Sequence, residues 1–211
     1  MSKFDYNIII IGGGSAGLVS AYIGSKIKAK VALIENHKMG GDCLNTGCIP
    51  SKALIRSTKI LSYIRRHQEF GIKSASAEFN FSEIMDRVQS IIKKIAPHDS
   101  IERYTNLGVN CFTGFAKVLS PNQVGINGEI LTTKNIIIAT GAKPTIPAIR
   151  GLDKVEFLTT DNLWNIRELP KRFFILGGGP IGVELSQCFA RLGSKVTLVE
   201  MMANILTRED D

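Results

Sequence analysis

Two cysteines five residues apart, Cys43 and Cys48, lie in the stretch GGDCLNTGCIPSK between paired glycines and a Pro-Ser-Lys run. Three chemistries suit such a pair: a structural staple, half of a metal site, or a reversible dithiol. On an ideal α-helix, positions five apart are separated by roughly 7.5 Å of rise and lie on different faces, whereas a disulfide needs Cα atoms roughly 4.4–6.8 Å apart. The pair can therefore bond only if the backbone leaves the helix between the two cysteines, and Leu44-Asn45-Thr46-Gly47 supplies an Asn and a Gly for that departure. A helix entered at this point would also direct its N-terminus at the sulfurs, which favours negative charge on sulfur. A zinc site would need two more ligands. Cys111 and Cys188 are single and distant, and His37, His67 and His98 show no partner spacing, so no metal is expected and both remote cysteines read as core residues.

Around this pair the chain is organised by a repeat. Gly12 to Glu35 (GGGSAGLVSAYIGSKIKAKVALIE) and Gly177 to Glu200 (GGGPIGVELSQCFARLGSKVTLVE) align over 24 residues without a gap. Each copy follows an apolar run, YNIIII or RFFIL, and ends in a second one, KVALIE or KVTLVE. Strand, glycine turn, helix, strand is the reading for both. Glycines at 12, 14 and 17, and again at 177, 179 and 182, permit a tight turn, a close backbone approach to a pyrophosphate and close helix–strand packing. The helix N-terminus that follows each turn then faces the phosphates with free N–H groups and a partial positive charge. Glu35 and Glu200, at the ends of the second strands, are placed to accept hydrogen bonds from ribose hydroxyls. Two such cradles imply two dinucleotides, and the usual reason to hold two is electron transfer between them.

Between the copies, residues from about Ser51 to Leu107 read as helical, broken near Gly71 and at Ala96-Pro97-His98-Asp99. From Val109 to Ala139 the pattern becomes four short β-rich runs, VNCFTGFAKVL, QVGI, EILTT and NIIIAT, a small antiparallel meander feeding back to a parallel strand. The fold class expected is α/β, with two Rossmann-like units and the chain ending within the second. At 211 residues, 44% hydrophobic and 21% charged, the composition is that of an ordinary globular protein. The four-isoleucine run before Gly12 is too short for a signal-peptide core, and no segment reaches the length of a membrane span. A cytoplasmic location is expected, where a persistent structural disulfide is out of place. The net charge of +7 raises nucleic acid as a partner. Its densest contribution, Arg56, Lys59, Arg65, Arg66 and His67, reads instead as the solvated face of an amphipathic helix that buries Leu54, Ile55, Ile60, Leu61 and Ile64.

Taken together, GGDCLNTGCIPSK, GGGSAG with its Glu35, TTKNIIIATGAKP and GGGPIG with its Glu200 resemble the pyridine-nucleotide disulfide oxidoreductases, flavoproteins of the dihydrolipoamide dehydrogenase and mercuric reductase type. That resemblance implies FAD at the first repeat, with Gly12, Gly14, Ser15, Ala16, Gly17 and Glu35 around its pyrophosphate and adenosine. Gly40, Gly41, Asp42, Cys43 and Lys52 would border it, Ala139, Thr140 and Gly141 would close a second strand on it, and Ala116 would approach it from the meander. The second repeat would take the nicotinamide nucleotide through Gly177, Gly179, Pro180, Ile181, Gly182 and Glu200, with NAD preferred to NADP because a carboxylate repels a 2′-phosphate. Cys48 would be the thiol facing the flavin and Cys43 the interchange thiol that attacks substrate. Lys52 would stand near flavin N5, paired with Glu184. Electrons would pass between NAD(P)H, FAD and a Cys43–Cys48 disulfide to a small-molecule or protein disulfide, a dithiol or a metal ion, in a homodimer. Two positions depart from the family pattern: Asp42 stands where many relatives have threonine, and Pro180 where some have an aromatic. Residues 1–145 would form the FAD-binding domain, 146–170 a connection, and 171–211 an incomplete nicotinamide domain. The chain would be about half of a family member, without the dimerisation domain and the catalytic base. A non-catalytic flavin- or nucleotide-binding module is the rival expectation.

Overall fold

The computed structural model describes residues 3–207. In chain order its first elements are β1 (Tyr6–Ile11), α1 (Ser15–Lys26), β2 (Val31–Glu35), α2 (Gly41–Asn45), α3 (Cys48–Arg65), α4 (Phe81–Ile95) and α5 (Ile101–Asn106). There follow β3 (Asn110–Thr113), β4 (Lys117–Ser120), β5 (Gln123–Ile126), β6 (Glu129–Ile138), β7 (Arg172–Leu176), α6 (Pro180–Leu192) and β8 (Lys195–Val199). Two compact units result, one of residues 1–48 with 92–157, the other of residues 49–91 with 158–211. No helix among the described residues is long and apolar enough to cross a membrane.

In the first unit a six-stranded sheet runs in the order β3-β2-β1-β6-β5-β4. β1 pairs parallel with β2, with Ile8 opposite Val31 and Ile11 opposite Ile34, and parallel with β6 on its other side. Parallel strands buried on both faces need near-continuous apolar runs, and β2 meets that need. Val31 and Leu33 pack with Ile10, Leu18, Ala21 and Tyr104 on one face, while Ala32 and Ile34 join Ile9, Val124 and Ile126 on the other.

The expected β-rich runs are redistributed. VNCFTGFAKVL divides at Gly114, whose φ of 149° turns the chain, so that β3 completes the parallel sheet and β4 starts the meander. EILTT and NIIIAT are one strand: the first half of β6 pairs antiparallel with β5, the second half parallel with β1. A hairpin turn at Asn127 (φ 51°) and Gly128 (φ 85°) joins β5 to β6, and two successive positive φ values match the right-handed twist of the flanking strands.

The second unit is built on α3, α4 and the β7-α6-β8 crossover. α3 begins at Cys48, three residues before the expected helical start, and buries Pro50, Ala53, Leu54, Thr58 and Leu61. Ile60, expected on the buried side, is 45% exposed. Thr58 takes a core position there because its hydroxyl donates to the Ile55 carbonyl, which satisfies the polar group inside its own helix. Arg87 on α4 donates to the Ala53 carbonyl at 2.9 Å and to Ser57 Oγ at 3.0 Å. Phe189 of α6 contacts the rings of Phe81 and Phe173, with centroids 6.2 and 4.3 Å away. Beneath α6, β7 and β8 pair parallel from Arg172–Lys195 to Leu176–Val199.

Candidate functional site

The two glycine units carry the same backbone bonds at matching positions. Gly12 N–H donates to the Ile34 carbonyl at 2.8 Å, and Gly177 N–H to the Val199 carbonyl at 2.9 Å. A side chain at Gly17 would lie 1.8 Å from the Gly12 carbonyl oxygen, and one at Gly182 would lie 2.0 Å from that of Gly177. These glycines therefore let each helix sit directly on the turn that precedes it. Gly12 is tight against the opposite strand as well: a Cβ there would fall 2.1 Å from the Ala139 carbonyl oxygen and 3.1 Å from Thr140 N. Ala139 and Thr140 are thereby brought to the first cradle, Ala139 N–H donating to the Ile11 carbonyl at 2.8 Å, and Gly141 follows them. Ala116 packs on the meander side of the same sheet.

Each acid faces its own glycine turn. One oxygen of Glu35 accepts from Gly13 N–H at 2.6 Å and the other from His37 N–H at 2.7 Å. Glu200 does the same with Gly178 N–H at 2.6 Å and Met202 N–H at 2.9 Å. The N–H groups of Met202 and then Gly178 hold the Glu200 carboxyl below the ordinary carboxylate range. Sequence reasoning missed Gly13 and Gly178 as site residues. The signal was present in the middle glycine of each GGG, which the spacing rule for pyrophosphate turns does not require.

The N-cap residues of α1 and α6 are Gly14 and Gly179, neither of which supplies a side-chain cap. Their first-turn N–H groups are thus left for an outside acceptor. A side chain at Gly14 would meet only Gly41 Cα, at 3.6 Å, and one at Gly179 would meet nothing within 4 Å. Ser15, Ala16 and Ile181 are exposed at these openings. Both cradles therefore suit a dinucleotide diphosphate.

The cysteine stretch is built onto the first cradle. Gly40 N–H donates to the Gly13 carbonyl at 2.8 Å, and Gly41 (φ 54°) lies so close that a Cβ would be 2.6 Å from Gly14 Cα. Cys43 is half-buried in the short helix α2. The helix ends at Thr46, whose φ of −136° leaves helical geometry, and Gly47 N–H returns to the Asp42 carbonyl at 2.5 Å. Cys48, exposed, then opens the 18-residue helix α3. The backbone thus makes the departure that a bond between the cysteines needs. Asn45 does more than break the helix: its amide donates to the Met39 carbonyl at 3.0 Å and to that of Gly41 at 2.8 Å, clamping α2 onto the glycine lip.

Lys52 stands one helical turn beyond Cys48, exposed, and Glu184 is exposed on α6. The ion pairs among the described residues, Arg66–Glu69 and Arg167–Asp86, include neither of them. Cys188 on α6 is buried in the core of its unit, and Cys111 on β3 is half-buried and packs against the core of its own unit. Burial pushes both thiols up.

A sequence model of the pyridine nucleotide-disulphide oxidoreductases matches residues 6–211. A dihydrolipoyl dehydrogenase of Acholeplasma laidlawii is 41% identical over 216 residues, an alignment taking in 100% of this chain and 64% of the relative. A mercuric reductase of Bacillus cereus is 34% identical over 208 residues, covering 99% of this chain and 33% of the relative. Among solved structures, the HOCl-induced flavoprotein disulfide reductase RclA from Escherichia coli matches with a TM-score of 0.82 at 30% identity, over 98% of this chain and 44% of that one. The chain thus spans between a third and just under two thirds of the length of these relatives.

Proposed function

Since this chain belongs to the pyridine nucleotide-disulphide oxidoreductase family, we propose that it carries the flavin cradle and redox dithiol of an FAD-dependent disulfide oxidoreductase. FAD belongs at Gly12–Gly17 with Glu35, and a nicotinamide nucleotide at Gly177–Gly182 with Glu200. Bound flavin supplies two-electron exchange between the nicotinamide and the dithiol. Residues 1–145 then serve as the flavin domain, 146–170 as a connection and 171–211 as nicotinamide-binding. Glu200 favours NAD, since a 2′-phosphate would be set against its carboxylate.

The carrying observation is the helix break at Thr46-Gly47 in a segment hydrogen-bonded to the first cradle through Gly40. One cysteine lies on each side of that break, in a segment tied by hydrogen bonds to the first glycine turn. Two electrons and two protons convert a Cys43–Cys48 disulfide to the dithiol. The Cys43 thiolate attacks an acceptor disulfide and releases one thiol; Cys48 then attacks the mixed disulfide at Cys43, releases the second thiol and restores the internal bond. Lys52, one turn past Cys48, is the cation suited to steady negative charge on reduced cofactor, and Glu184 the carboxylate to orient it. The relatives point to a dithiol, a disulfide or a metal ion as the acceptor, and the whole protein is proposed to act as a cytoplasmic homodimer.

The test is anaerobic titration of the FAD-reconstituted protein with dithionite and then NADH, beside Cys48→Ser. A long-wavelength absorption band at two electrons, lost in the variant, is expected. Flavin retained without that band would refute the dithiol relay and leave a dinucleotide-binding module.

A further inference from the structure

Within the segments that frame the first cradle, residues 12–17 and 40–48, Asp42 is the one charged side chain. Its backbone is fixed, because its carbonyl accepts from Thr46 N–H at 2.9 Å and from Gly47 N–H at 2.5 Å. Its side chain is exposed and, among the described residues, takes part in no hydrogen bond or ion pair. The residue before it is Gly41, whose backbone lies against Gly14 at the mouth of α1. By contrast, the other acid at this cradle, Glu35, has both oxygens engaged by backbone N–H groups.

Resting on the flavin reading above, we infer that Asp42 sets how tightly the cofactor's diphosphate is held, by opposing the positive end of α1. A helix N-terminus offers about half a positive charge, and no basic side chain lies within either framing segment. A negative charge in the first turn of α2, next to the Gly41 backbone that packs on this N-terminus, opposes that attraction. Asp42 therefore acts as a determinant of flavin retention, leaving the cradle dependent on its N–H donors and on contacts to the rest of the cofactor. The sign of the salt effect follows. Salt ordinarily weakens an anion site, but here it also screens a repulsion, so the penalty from Asp42 shrinks as ionic strength rises.

The experiment compares FAD binding by apoprotein for the wild type, Asp42→Asn and Asp42→Glu, read by flavin fluorescence at about 20 mM and about 1 M NaCl. At high salt the screening length is roughly 3 Å. Asp42→Asn is expected to bind FAD about three- to tenfold more tightly at low salt, with the ratio approaching one at high salt. Asp42→Glu should stay near the wild type, and NADH binding at the second repeat should be equal in all three. Equal FAD affinity for wild type and Asp42→Asn at both salts would overturn the inference. So would weaker binding by Asp42→Asn, which would make the carboxylate a ligand. Absence of FAD binding in every variant, with NADH binding intact, would refute the flavin assignment itself and this inference with it.

Discussion

Gly17→Ala and Gly24→Ala form a matched pair on α1, since both gain about 1 kcal/mol of helix propensity and differ in what the new methyl meets. At Gly24 it would lie 2.8 Å from Val31 Cγ2, a side-chain methyl group. At Gly17 it would lie 1.8 Å from the Gly12 carbonyl oxygen, so that peptide must retreat by more than about 1 Å to reach ordinary van der Waals distance. Gly12 is held on two sides: its N–H is bonded to the Ile34 carbonyl, and a Cβ on it would fall 2.1 Å from the Ala139 carbonyl oxygen. Overpacking costs about 1–3 kcal/mol. We place Gly17→Ala at the upper end and Gly24→Ala at the lower, for net losses of about 2 kcal/mol and about zero. Urea unfolding followed by circular dichroism should separate the two variants by that difference. Gly182→Ala repeats the test in the second unit, where the new methyl would lie 2.0 Å from the Gly177 carbonyl and the chain's one tryptophan, buried Trp164, supplies a fluorescence signal. A Gly17→Ala protein within about 0.5 kcal/mol of Gly24→Ala would refute the close-approach argument.

Asn45→Ala removes both amide bonds that clamp α2 and should cost about 1–2 kcal/mol, with FAD affinity falling in a fluorescence titration while NADH affinity holds. The Glu200 carboxyl sits below its ordinary value because of backbone donors. Its stabilising contribution is therefore present above the unfolded value, roughly pH 4.3, and lost as pH falls through the lower folded value. Amide exchange in residues 200–206 should rise across that acid window, and Glu200→Gln should flatten the response. After reduction, pulses of iodoacetamide at neutral pH should modify Cys43 and Cys48 ahead of Cys111 and Cys188, whose thiols burial pushes up; peptide mass spectrometry reads the order.

Much of this was legible because it rests on local chemistry. The two glycine units could be aligned by eye, and their strands, helices and terminal acids appear where the spacing places them. The break between Cys43 and Cys48 followed from an Asn and a Gly in a helix-forming context. What escaped was non-local. Periodicity could not reveal that Glu35 and Glu200 would be held by the middle glycines, because that bond joins residues 22 positions apart. Nor could it distinguish two short strands from the single β6, whose halves look alike in composition and differ only in their neighbours. Ile60 fits an apolar stripe by spacing, yet α3 buries Thr58 instead, since a threonine that bonds its own helix can enter a core.

The ten-residue strand β6 also sets an order of assembly. Its first half pairs with β5 across a tight Asn-Gly turn, a local contact of the kind that forms within about 1–10 μs. Its second half pairs with β1, joining Tyr6 to Thr133 across most of the unit, a closure delayed by the entropy of the intervening chain. The meander hairpin can therefore form first and present a ready edge on which the N-terminal strand docks late. Because the halves share one backbone, a slip of one residue in the hairpin would exchange the faces of Ile136 and Ile137, which pack against different clusters. The quick local turn thus acts as the register gauge for the slow, long-range closure of the sheet.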